Sequence, residues 1–207
     1  MSWGADRFEE LPYRFHLPGE GRWPVVIYLH GSGERGDDGT SHLKNGVETL
    51  AGWPCITVAP QCPRGASWGG SWYGGPTPQQ EAVAAVAESL AARPNVDGER
   101  ISVVGFSMGA IGGWELVARH RARFAAFVPI AGDAPVEAMA ALQGFPVWAF
   151  HGALDAAVPN TNVREAARLG VVAHYTELPG VDHGSWGPAL ETPHLRAWLL
   201  GQRRGGR

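Results

Sequence analysis

The sequence predicts an α/β fold, a single domain built on one mostly parallel central sheet with helices on both faces. Three features point there. Short runs of continuous apolar and β-branched residues recur along the chain, as strands buried on both faces require. Stretches of helical character separate them, and that alternation implies parallel strands joined by helical crossovers. Finally, 207 residues with 44% hydrophobic and 18% charged side chains suit one domain that folds without disulfides, burying about 70% of the surface its unfolded chain exposes.

Taken in order, the first strand-like run is Leu11 to Leu17 (LPYRFHL), preceded by ten residues expected to fray, and the second is Val25 to Leu29. Cys55 to Ala59 is the third. Gly65 to Pro78, rich in Gly, Trp and Pro, has neither strand nor helix period, and irregular segments of that length are usually functional or mobile. A helix is predicted over Pro78 to Ala92, where Val83, Val86 and Leu90 form one apolar stripe and Pro94 blocks continuation. Strands follow at Ile101 to Gly105, Phe124 to Ile130, Pro146 to Phe150 and Val171 to Leu178. Helices are expected at Ala110 to Arg121, Pro135 to Leu142, Val163 to Leu169 and Thr192 to Gln202, with a frayed tail over 202–207.

Charge narrows the partners. A net charge of −3 gives no field favouring nucleic acid or an anionic membrane surface. The opening MSWGADRFEE has no basic segment followed by an apolar one, and no run approaches the ~18 apolar residues of a membrane span, so the chain reads as soluble and cytoplasmic. Cys55 and Cys62 lack C-x-x-C spacing and read as ordinary reduced thiols. The eight histidines are scattered without an H-E-x-x-H, so neither a metal nor another cofactor is expected, and Asp37 and Asp38 read as solvated turn residues.

Two stretches fit G-x-S-x-G, the pattern that presents a serine nucleophile: GASWG at 65–69 and GFSMG at 105–109. The working form is a sharp strand-to-helix turn, with glycines where side chains would collide. Ser107 meets that requirement, with ISVV entering and IGGWELVARH leaving, and Gly112 and Gly113 would let the helix lie close to the sheet. Ser67 does not, because QCPRGA before it and GGSWYGGPTP after it both read as loop.

A serine hydroxyl needs a base to take its proton, and the base needs a group that fixes its tautomer and balances its charge. In parallel sheets of this kind the acid and then the histidine follow the serine, on loops after later strands. Asp155 in HGALDAAVP, after the strand Pro146 to Phe150, is the favoured acid, with Asp133 in IAGDAP its competitor; a turn or helix-entry role is the alternative for Asp155. His183 in PGVDHGSW, after the last strand, is the candidate base, and Asp182, adjacent to it in sequence, is poorly placed to orient it. An oxyanion hole needs two backbone N–H groups. Met108, directly after the nucleophile, supplies one; Ser32, with Gly33 next, is the candidate for the other in HGSGERGDDG. Gly31 and Gly33 let that loop approach a substrate. His30 and Arg35 hold the loop in shape, with an anionic substrate as the alternative partner for Arg35.

Together LHGSGERGDDG, APQCP, VDGERISVVGFSMGA, FHGALDAAVP and DHGSW resemble the α/β-hydrolase superfamily over roughly residues 11–200. They look most like its compact carboxylesterases, including the polyhydroxybutyrate depolymerase and feruloyl esterase-like branch and the relatives labelled predicted peptidases. The resemblance implies the α/β-hydrolase fold and a serine carboxylesterase acting on short-chain or aromatic-acyl esters through an acyl-serine, with a peptidase or thioesterase as the alternative. A non-catalytic binding module would show a broken triad, and no break is visible. Ala110 stands where many relatives have glycine. No insertion long enough for a cap separates Phe124 to Ile130 from Pro146 to Phe150, so an open site walled by loops is expected. Trp68, Trp72 and Trp186 are candidates for that wall, and capping the core from outside is the equal alternative.

Overall fold

The computed structural model describes residues 2–71 and 74–206. At one edge of its sheet β1 (Gly4–Phe8) and β2 (Leu11–His16) pair antiparallel, and β2 also runs antiparallel to β4 (Ile56–Pro60). The remaining strands, β3 (Trp23–Leu29), β5 (Val96–Phe106), β6 (Phe127–Ile130), β7 (Trp148–Gly152) and β8 (His174–Leu178), run parallel to β4 and to one another. The eight strands lie in the order β1-β2-β4-β3-β5-β6-β7-β8.

Side chains alternate across a strand, so each parallel strand feeds two cores. Val25, Ile27 and Leu29 of β3 enter one core, built with α2 (Pro78–Ala91), α3 (Met108–Arg119), α4 (Val136–Ala140) and α5 (Thr161–Arg168). Val26 and Tyr28 enter the other, with α1 (Val47–Ala51), α6 (Trp186–Leu190) and α7 (Leu195–Gly201). The connection after β3 therefore leaves on one face through α1, and the connection after the adjacent β5 leaves on the opposite face through α3. Neighbouring strands whose chains depart to opposite faces leave a crevice at their carboxyl ends, the place where open α/β sheets bind ligands. Leu29 pairs with Gly105 there, which brings the loop beginning at His30 beside Ser107.

The helix predicted over Pro78 to Ala92 has a full capping box, with the Thr77 hydroxyl accepting from Gln80 N–H and the Gln80 side chain accepting from Thr77 N–H. Its predicted stripe of Val83, Val86 and Leu90 is buried.

Several expectations change. Residues 4–8 are a strand, not a frayed end: Asp6 accepts hydrogen bonds from Tyr13 Oη (2.7 Å) and Arg93 (2.9 Å). As a largely exposed edge strand, GADRF carries no apolar run to announce it. The tail is likewise docked, with Arg204 N–H donating to Glu99 O at 2.8 Å and its guanidinium 2.6 Å from the Glu99 carboxylate. β5 begins five residues early, at Val96, because the charged Asp97, Glu99 and Arg100 interrupt its apolar pattern. The terminal helix predicted over Thr192 to Gln202 is α7, and neither α1 nor α6 was foreseen; these two are five residues each, too short to show a helical period. No helix among the described residues is long and apolar enough to cross a membrane.

Candidate active site

Ser107 sits where β5 ends and α3 begins, held at positive φ (φ 51°, ψ −117°). A non-glycine residue there costs about 1–3 kcal/mol and persists only where the surroundings enforce it. Enforcement comes from the flanking glycines: a Cβ on Gly105 would run into the carbonyl of Gly109, and one on Gly109 into the carbonyl of Leu29 in β3. Ser107 N–H is tied to Ile130 O of β6 at 2.9 Å, and the residue is 7% exposed.

The structure brings all three predicted triad residues together. His183, on the loop after β8, has Nε2 2.9 Å from Ser107 Oγ and donates Nδ1–H to Asp155 Oδ2 at 2.8 Å. That pair fixes the tautomer and leaves Nε2 free to accept the serine proton. Asp155, on the loop after β7, has a side chain 1% exposed and also accepts Ala157 N–H and Val158 N–H on Oδ1, both at 2.9 Å. Burial alone would push this carboxyl up, but the His183 contact and the backbone donors hold it below the usual carboxylate range. Asp182 instead closes a local turn by accepting Gly184 N–H at 2.9 Å.

Asp133, the competitor, does the helix-entry job. It accepts from Val163 N–H (2.8 Å) and Asn162 N–H (3.4 Å) in the first turn of α5, where N–H groups lack intrahelical partners. Burial raises its carboxyl above the ordinary range, partly offset by those donors.

Met108 is the first residue of α3 and Ser32 the first of a short 3-10 turn over Ser32–Glu34, so neither N–H has an intrahelical acceptor. Arg35 holds the second turn, donating to Ser32 O (2.9 Å) and Ala66 O (3.2 Å). His30 is fully buried, donates Nδ1–H to Gly31 O at 2.7 Å and accepts Cys62 N–H on Nε2 at 2.9 Å. Gly31 is buried against Phe106 and Glu34, while Gly33 is exposed and faces open space.

The proposed aromatic wall is corrected in part. Trp68 is 0% exposed, its indole N–H donates to His30 O at 3.0 Å and its ring meets His30 edge-on, so it is a core residue and cannot touch a substrate. Gly112 faces the Trp68 backbone, and only Gly113 approaches the sheet, at Phe127. Trp186 is half-buried and packs edge-to-face on Phe106, whose ring in turn lies 5.3 Å from that of His183. Trp72 lies outside the described residues. A recess of about 410 Å³ runs along α3 beside Gly70, Ser71, Gly74 and Gly75, lined also by Ile111, Trp114 and Ala138, but neither Ser107 nor His183 lines it. Between β6 and β7 the structure has only the five-residue α4 as a helix, which leaves no cap.

Phe106 and His151 are the neighbours that sequence reasoning missed. Phe106 was visible as the residue preceding Ser107, and His151 as the histidine of HGALD, four before Asp155. Among the described residues no group of three or more His, Cys, Asp or Glu is placed to hold a metal ion, and both cysteines are buried thiols pushed up to about 12 by desolvation.

A serine at the switch point of a mostly parallel sheet, in a glycine-flanked strand-to-helix turn, with an acid and a histidine on later loops, defines the α/β-hydrolase superfamily. Within it, the chain belongs to the dienelactone hydrolase family, whose model matches residues 73–184. A thermostable esterase of known structure is 30% identical, with a TM-score of 0.84 over 98% of this chain and 63% of its own. Est1E from Butyrivibrio proteoclasticus superposes with a TM-score of 0.73 at 15% identity, covering 97% of this chain and 98% of its own, a likeness of fold. The bifunctional acetylxylan esterase/xylanase XynS20E of Neocallimastix patriciarum is 26% identical over 132 residues, which is 64% of this chain and 19% of that protein.

Proposed function

We propose that this protein is a serine carboxylesterase acting on short-chain or aromatic-acyl esters through an acyl-Ser107 intermediate. The relay Ser107–His183–Asp155, with contacts of 2.9 and 2.8 Å, carries the reading. Ser107 Oγ attacks the ester carbonyl carbon while its proton passes to His183 Nε2, and Asp155 balances the resulting imidazolium. Negative charge moves to the carbonyl oxygen, which Met108 N–H and Ser32 N–H stabilise. The tetrahedral adduct collapses, His183 returns the proton to the leaving alkoxide, and the alcohol departs. Water, deprotonated by His183, then attacks the acyl carbon, and Ser107 leaves with the proton to regenerate the enzyme.

The acyl class is supported by the relatives, one named an acetylxylan esterase and another a thermostable esterase. The lack of a cap favours compact soluble esters over long lipid chains. The substrate is a small molecule, and the reading calls for no cofactor. Turnover should be measured on a panel of p-nitrophenyl and feruloyl esters beside matched thioesters and amides, with Ser107→Ala as control. The esters are expected to be fastest, with Ser107→Ala lowering turnover by about 10⁴-fold or more. Full activity in Ser107→Ala would discard the mechanism; faster thioester or amide turnover would reassign the acyl class.

A further inference from the structure

We infer that His151 is a positioning residue of this site, using its Nε2–H to pin the turn that carries Asp155 and to hold Oδ2 of that carboxylate toward His183. The inference rests on the triad reading above and extends it by one shell. His151 lies in β7, is 0% exposed, and does not reach Ser107 or any surface a substrate could touch.

Its contacts allow only one state. Nε2 lies 3.1 Å from Val158 O and 3.2 Å from Asp155 Oδ2. Both neighbours are acceptors, so Nε2 carries the proton; the hydrogen bond goes to the Val158 carbonyl, and Asp155 Oδ2 lies beside that N–H as a close polar contact. Nδ1 is then a bare lone pair, and among the described residues it is buried with no partner. A second proton would place an orphan N–H in the core, and desolvation accordingly pulls this imidazole below its ordinary range. Asp155, Asp133, His183 and, from β8, Glu177 are the titratable groups around it. His151 thus remains a neutral donor while His183 gains and loses its proton.

The consequence falls on Asp155. An ionised carboxylate has about four lone-pair positions. Ala157 and Val158 N–H occupy Oδ1, and His183 and His151 flank Oδ2. The Val158 peptide is gripped at both ends, its N–H by Asp155 and its carbonyl by His151. Removing the His151 donor frees that carbonyl and one side of Oδ2 together, and the carboxylate can then turn away from the His183 ring plane.

Glutamine and methionine at this position test the donor apart from packing, because the two side chains are nearly isosteric and only glutamine offers an N–H. His151→Gln is expected to keep kcat within about threefold, whereas His151→Met should lose 10- to 100-fold in kcat, an order set by small misplacements of catalytic groups, with KM little changed. The acid limb of kcat/KM should move to lower pH in the Met variant and stay in place in the Gln variant. Melting temperatures of the two should fall together, since both lose the ring. Equal kcat and superimposable pH profiles for the pair would overturn the inference. Nitrogen NMR of the unmodified protein gives a second test that does not depend on turnover: His151 should be protonated on Nε2 alone at neutral pH, and a proton on Nδ1 would refute it. If the unmodified protein hydrolyses no ester, thioester or amide, the esterase reading fails, while the NMR result still decides the role of His151.

Discussion

The chain contains the pattern G-x-S-x-G twice, and the two copies place the positive-φ backbone in opposite ways. In residues 105–109 the serine carries it, at φ 51°, while Gly105 and Gly109 are there because neighbouring backbone leaves no room for a Cβ. In residues 65–69 the glycines carry it, Gly65 at φ +76° and Gly69 at φ +78°, while Ser67 merely caps a turn by accepting Gly69 N–H at 3.1 Å. A strained serine between crowded glycines makes an elbow; a relaxed one between glycines free to take positive φ makes a loop. The loop nevertheless serves the first copy. Ala66 O accepts from Arg35, which also grips Ser32 O, and Trp68 holds His30 O, so GASWG buttresses the backbone from His30 to Ser32.

The sharpest way to break this comparison is a pair of alanines. Ser107→Ala should abolish ester turnover, a loss of about 10⁴-fold or more, while Ser67→Ala should leave kcat within about twofold and cost about 1 kcal/mol for its lost hydrogen bond. Steady-state rates and urea unfolding measure both. A Ser67→Ala variant as inactive as Ser107→Ala would erase the distinction.

Trp68→Ala comes next. Truncating a fully buried tryptophan costs about 3–5 kcal/mol, here with an indole hydrogen bond to His30 O lost as well. Because that carbonyl begins the Ser32 loop, kcat should fall in the fraction that folds, counted by active-site titration with a fluorophosphonate. Undiminished kcat per titrated site would mean that the buttress is packing alone.

What was legible in the sequence follows the same physics. Ser107, Asp155 and His183 could be read together because each follows a strand of the parallel sheet, and strand ends on one side of such a sheet must converge. Trp68 was ambiguous because a tryptophan in a Gly-rich loop has no period to say which way it faces; only the tertiary contact with His30 decides. β1 was illegible because an exposed edge strand needs no apolar run, and beyond its ladder to β2 it is tied by Asp6 to Arg93, far away in the chain. Asp133 and Asp155 looked alike in sequence, each following a strand. The difference is what lies opposite: free N–H groups of α5 for one, the His183 ring for the other.

Acid should weaken the same buttress. Burial, the leading cause, pushes the imidazoles of His30 and His42 down to about 4. Between that value and the ordinary histidine range, near 6.5, the unfolded chain binds protons that the folded one refuses. Stability is therefore fully present above about pH 6.5 and is lost as pH falls toward about 4, by about 3 kcal/mol for each imidazole. Urea unfolding at about pH 7 and about pH 4.5 should show the drop, and His42→Gln, which keeps a donor for Ala59 O, should remove roughly half of it. A pH-independent unfolding free energy across that window would contradict the buried neutral state of both.

The smallest effect belongs to Gly65→Ala. Nothing lies within 4 Å of where its Cβ would stand, so the cost is that of holding an alanine at φ +76° alone, about 1 kcal/mol. Activity should be untouched, because the added methyl meets no atom and so displaces nothing in the loop. The same substitution at Gly109 drives a methyl into the Leu29 carbonyl of β3 and should displace the elbow itself, so its loss of activity must exceed its counterpart's by orders of magnitude. If Gly65→Ala and Gly109→Ala proved equally mild, the close approach of α3 to β3 would not be what holds Ser107 in its strained conformation, and the two copies of the motif would differ in position only.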